Sequence, residues 1–119
     1  MASIGEIKTT QQIITTATDT AIIDISAIAG TDSGSFIEIL ELYVSVFVAA
    51  ASTTLRFEEG AAGTAIGALG TAAGTAIGDQ MVKSFPNGGW RLSANTDLSA
   101  ETVGASCTWY VAVKYRVVI

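Results

Sequence analysis

The chain has 119 residues, half of them hydrophobic and only 14% charged, with eleven carboxylates against six basic side chains for a net charge of -5. That length suits one domain of about 100–150 residues, and the scattered Lys8, Arg56, Lys83, Arg91, Lys114 and Arg116 form no basic stripe for nucleic-acid phosphates. The absence of histidine and a single cysteine, Cys107, exclude Ser-His and Cys-His nucleophile pairs, Cys/His metal sites and an internal disulfide.

Residues 1–20 are rich in Thr and Gln with isolated isoleucines, and read as an amino-terminal arm ordered by a neighbour. The start, MASIGEIKTTQQ, lacks the basic-then-apolar pattern of a secretory signal. From Ala21 to Ala29 polar Asp24 and Ser26 alternate with Ile23 and Ile25, which predicts a first strand, followed by turn residues from Gly30 to Gly34. Ser35 to Ala51 is the most apolar segment; its even positions, Phe36, Leu40, Leu42, Val44, Val46 and Val48, make one face, broken once by Glu38. Glu38 and Glu41 leave this run short of the about 20 apolar residues of a membrane helix. Thr53 to Glu59 alternates again, with Leu55 and Phe57 on one face and Thr54, Arg56 and Glu58 on the other.

The sequence AAGTAIG occurs at residues 61–67 and again at 72–78, and Gly60 to Gly78 carries no charge. Ile66, Leu69 and Ile77 are its only large apolar groups, too few for a membrane span. A phosphate cradle lacks the Gly-Lys-Ser/Thr ending and any cation between Arg56 and Lys83. Small side chains suit close backbone approach. The segment is therefore expected to form compact loops and narrow strands at an oligomer or capsid contact, through Gly63, Ile66, Gly67, Leu69, Gly74, Ile77 and Gly78.

Val82 to Phe85 reads as a short strand, Pro86-Asn87-Gly88-Gly89 as a turn, and Trp90-Arg91-Leu92 as a strand start. After Leu98 to Val103 comes the clearest pattern, Cys107 to Ile119. Cys107, Trp109, Val111, Val113, Tyr115, Val117 and Ile119 occupy one face of it, opposite Thr108, Tyr110, Ala112, Lys114, Arg116 and Val118. Short strands, turn chemistry and no amphipathic helix predict an all-β, jelly-roll-like antiparallel sandwich over residues 21–119.

No constellation for catalysis, cofactor or metal emerges, and the chain is not expected to be an enzyme. Cys107 falls on the apolar face of the last strand as a small core residue. Glu58 and Glu59, like Glu38 and Glu41 on a regular strand, point to opposite faces, and Asp97 and Glu101 form no calcium loop. The acids read as solvated rim charges. Trp109 and Tyr115 share the core face, which leaves Trp90 as the candidate exposed aromatic.

The carboxyl half, FPNGGWRLSANTDLSAETVGASCTWYVAVKYRVV, resembles small virion proteins of tailed bacteriophages, in which a turn, a W-x-L strand and a final alternating strand ending in a Tyr-Arg-Val-like motif belong to a jelly-roll-like sandwich. That resemblance implies a head decoration, or cement, protein. Such a protein is a homotrimer on the outer capsid surface that clamps neighbouring major capsid protein subunits, is made in the host cytoplasm and has neither nucleic-acid nor membrane partners. The alternative is a tail- or fibre-associated virion protein binding a host carbohydrate, with Trp90 in the pocket.

Overall fold

Ten strands form two antiparallel sheets in the computed structural model, which describes residues 5–15, 20–48, 53–60, 64–66, 71–73, 80–85, 89–104 and 107–119. They are β1 (Lys8–Ile14), β2 (Thr20–Ile23), β3 (Phe36–Val48), β4 (Thr53–Glu59), β5 (Thr64–Ala65), β6 (Thr71–Ala73), β7 (Gln80–Ser84), β8 (Trp90–Arg91), β9 (Leu98–Gly104) and β10 (Thr108–Val118). Sheet I has the order β1-β10-β3-β7, with β8 also on β3; sheet II has the order β2-β9-β4-β5, with β6 also on β4.

The pairings are nested: β1 with β10, β2 with β9, β3 with β7 and β8, and β4 with β5 and β6. One long antiparallel hairpin has rolled up so that its successive pairs alternate between the sheets, and the lateral pairs β10·β3 and β9·β4 close each one. This is a jelly roll. The expected fold class is therefore the observed one.

Two faces make the core. Trp109, Val111, Val113, Tyr115 and Val117 of β10 lie with Ile37, Ile39, Leu42, Val44 and Val46 of β3, against Leu55 and Phe57 of β4 and Leu98 and Ala100 of β9. The inward parity changes from odd to even along β3. In the pairing with β10, Ile39 faces Tyr115 and Glu41 faces Lys114, so Leu40 is an extra residue, a β-bulge. The single break noted in the period-two pattern is this bulge. It moves the core set from Phe36, Leu40 and their even successors to Ile37 and Ile39 followed by Leu42, Val44 and Val46. A second bulge, at Ile22, explains how adjacent Ile22 and Ile23 are both buried.

Two local expectations change. The strand expected over Ala21–Ala29 stops at Ile23, because the Asp24 side chain accepts hydrogen bonds from Ser26 N and Ser26 Oγ and caps a 3-10 turn over Ile25–Ala27. β7 and β8 both run antiparallel along the same edge of β3, while the turn expected at Pro86-Asn87-Gly88 lies outside the described residues. Phe85 N donates to Leu40 O and Leu92 N to Ile37 O, so the two strands are one interrupted edge. Gly89 (φ +84°) passes so close to β3 that a Cβ there would sit 2.5 Å from Ile39 O. Finally, Lys8–Ile14, within the stretch read as an arm, is a strand paired along its whole length with β10.

Two short strands within the repeated AAGTAIG region, β5 and β6, lie on the same side of β4 in sheet II. Thr64 and Ala65 of the first copy pair with Glu59 and Glu58, while Ala72 and Ala73 of the second pair with Leu55 and Thr54.

Candidate interaction surface

The outward residues of sheet I form rows fixed by register. Running β1-β10-β3-β7, they read Ile13-Tyr110-Ser45-Gln80, then Gln11-Ala112-Tyr43-Val82, then Thr9-Lys114-Glu41-Ser84. Arg116, Glu38 and Arg91 make the next row. The face is divided in two. One half is uncharged, with Ile13 and Val82 each 55% exposed beside half-buried Tyr110, Tyr43 and Ala112; the other is a ladder of opposite charges.

The charged half sets three cations, Lys114, Arg116 and Arg91, beside two carboxylates, Glu41 and Glu38. Arg116 Nε donates to Glu38 Oε1 at 3.1 Å, with Glu38 itself buried. The Arg91 guanidinium lies 4.4 Å over the Phe36 ring, a cation–π contact. Glu38 and Glu41, expected on opposite faces, share the outer face because the Leu40 bulge intervenes between them. Opposite-charge neighbours across an antiparallel pair are favourable.

On the outer face of sheet II, Arg56 donates through Nε to Glu58 Oε1 at 3.0 Å and through Nη2 to Glu101 Oε1. Those bonds, that to Glu101 foremost, raise the Arg56 pKa above its ordinary value. Glu58 is buried, so it is not the solvated rim charge its sequence context suggested. Glu59 accepts from Ser93 N and Ser93 Oγ, and Asp97 Oδ1 accepts from Ile25 N at 2.9 Å. These carboxylates serve as structural acceptors at separate places.

Of the residues singled out in the sequence, Ile66 is 7% exposed within the core, its N–H donating to Phe57 O at 2.8 Å. Gly63, Gly67, Leu69, Gly74, Ile77 and Gly78 lie outside the described residues. Trp90 is 37% exposed on β8, its ring 6.2 Å from that of Phe85 and inclined at 49°. Cys107 is buried and in no disulfide. Among the described residues no group of three or more Asp, Glu or Cys could hold a metal ion, and no helix is long and apolar enough to cross a membrane.

Ile13, Val82, Tyr43 and Tyr110 were not assembled by sequence reasoning. The even face of the last strand offered a signal in Tyr110 and Ala112, but their lateral neighbours follow from strand order alone. A shallow cleft of about 330 Å³ lies at this edge, lined by Gln11, Gln12, Ile13 and Tyr110.

No family model matches the chain, and no curated protein is similar to it in sequence. Solved structures similar to the chain include two of viral particles. One is the virus-like particle of giant freshwater prawn (Macrobrachium rosenbergii) extra small virus, at 13% identity over 96% of this chain and 79% of that one, TM-score 0.45. The other is a chain of the cyanophage Pam1 capsid asymmetric unit, at 18% identity over 97% and 85%, TM-score 0.41. Likenesses this distant carry no functional argument; the fold assignment rests on strand order.

Proposed function

We propose that the chain is a structural protein of a virus particle: a head decoration, or cement, protein that binds the outer capsid surface and stabilises neighbouring major capsid subunits. The observation that carries this reading is the uncharged half of sheet I. Ile13 and Val82 stand exposed among tyrosines on one flat face, and exposed apolar area rimmed by polar groups marks interaction sites. Tyrosine, apolar at the ring and polar at the tip, is enriched at such interfaces.

The jelly roll suits this role, since viral capsid domains use it, but lectin domains and cupins share it, so the fold alone assigns nothing. The carboxyl-half resemblance to tailed-phage virion proteins adds the expected trimer. Three copies binding together turn individually weak contacts into avidity, and a ligand that binds only the assembled shell stabilises it. The small-residue segment from Gly60 to Gly78, whose β5 and β6 pair with β4 in sheet II, is proposed as a second contact. Gly67→Val with Gly74→Val is expected to weaken the oligomer while leaving the β-rich fold.

Co-sedimentation with capsids lacking the protein tests the reading. Wild type should pellet with the shells, and Tyr43→Asp with Val82→Asp should stay in the supernatant although folded; a wild type that never pellets overturns it. The tail or fibre reading draws on the exposed Trp90 beside Phe85. Glycan binding lost on Trp90→Ala would favour it.

A further inference from the structure

Strand edges expose unpaired backbone groups, and proteins usually guard them with short strands, bulges, prolines or charges. Three of the four edges here are guarded in that way. One edge is shared by two separate short strands, β7 and β8, and carries Lys83; the β5/β6 edge consists of two-residue and three-residue strands; and β2 has four residues with a bulge at Ile22. The fourth edge, β1, is seven residues long, Lys-Thr-Thr-Gln-Gln-Ile-Ile, with continuous register to β10 and one charge, Lys8, at its start.

In an antiparallel pair every second residue directs its N–H and C=O away from its partner. On β1 those groups have no backbone partner among the described residues; β2 approaches the strand from the other sheet without pairing to it. The strand is also self-complementary. Ile7, 56% exposed, and Ile13, 55% exposed, are equidistant from Thr10.

We propose that the occupant of this edge is a second copy of the chain, its β1 pairing antiparallel with β1 about a two-fold axis at Thr10, which joins two copies of sheet I into one continuous sheet. Pairing centred on Thr10 sets Ile7 opposite Ile13 of the other copy twice, Lys8 opposite Gln12 twice, and Thr9 opposite Gln11 twice. Both exposed isoleucines are then covered. The two Lys8 side chains fall four residues apart along the seam, roughly 13 Å at about 3.4 Å per residue, beyond a Debye length of about 8 Å at physiological salt. This contact shares Ile13 and Gln11 with the face proposed to bind capsid but leaves Tyr43 and Val82, on strands farther from the seam, uncovered; its failure therefore does not remove that reading, which co-sedimentation tests separately.

Disulfide trapping tests the register. On the axis, two copies of residue 10 have Cα atoms about 4.5–5.5 Å apart, within disulfide reach, whereas residues 12 lie roughly 13 Å apart, beyond the about 7 Å limit. Under mild oxidation Thr10→Cys should run as a covalent dimer on a denaturing gel and Gln12→Cys as a monomer, the native Cys107 being buried. A charge test on the exposed positions accompanies it. Thr9→Lys with Gln11→Lys opposes like charges across the seam and should abolish the dimer in sedimentation, whereas Thr9→Glu with Gln11→Lys opposes unlike charges and should retain it. Absence of the Thr10→Cys dimer at high concentration, equal trapping of Gln12→Cys, or identical behaviour of the two charge variants would overturn the proposal.

Discussion

Trp109 Nε1 donates a 3.1 Å hydrogen bond to Thr102 Oγ1, joining β10 of sheet I to β9 of sheet II through the middle of an otherwise apolar core. An indole N–H buried without a partner costs free energy, and Thr102 supplies the acceptor without interrupting the packing. Thr102→Val keeps the shape and orphans the donor. It is expected to lower unfolding stability by about 1–3 kcal/mol, read from urea denaturation, whereas Thr102→Ser should lose much less.

The Leu40 bulge places Glu38 outward and opposite Arg116. Arg116→Met leaves that buried carboxylate without its guanidinium, and should cost about 1–3 kcal/mol, below the about 3–5 kcal/mol of a fully enclosed pair because Arg116 keeps some solvent contact. Lys114→Met, at an exposed position opposite exposed Glu41, should change stability by less than about 0.5 kcal/mol. Thermal or urea melts of the two variants make the comparison.

Burial raises the Tyr115 phenol pKa above its ordinary value of 10.0. The folded chain therefore holds the phenol neutral where the unfolded chain ionises it, so this group's stabilising contribution is complete below the unfolded pKa and declines as pH rises through and above it. Urea midpoints between pH 9 and 11 should fall for wild type, and the fall should be shallower for Tyr115→Phe.

Gly89 combines a positive φ with the close approach to Ile39 O, and Gly89→Ala collides with the backbone of β3 as well as straining its own. A loss of about 1–3 kcal/mol is expected, read as a lowered urea midpoint. Gly34→Ala, where a Cβ meets only the Asp32 side chain at 3.5 Å, is the mild control.

Strict alternation made β10 and β4 readable from the sequence: odd residues from Cys107 to Val117, with Leu55 and Phe57, lie in the core as their parity required. That much was enough for the fold class. What parity missed is local chemistry that competes with it. Leu40 shifts β3 by one residue in response to the register with β10, a partner far along the chain; Asp24 ends β2 by capping; and Gly89, at positive φ, lets β8 lie on the same edge of β3 as β7. The candidate surface was hidden for a related reason. Ile13, Tyr110, Tyr43 and Val82 come from four strands, and only the order β1-β10-β3-β7 makes them neighbours.

A cryo-electron microscopy map of particles carrying the protein tests most directly whether the uncharged half of sheet I is its binding face. The expected map shows the jelly roll outside the shell with Tyr43, Val82 and Tyr110 against neighbouring subunits; a particle-bound jelly roll with that face turned to solvent would contradict it.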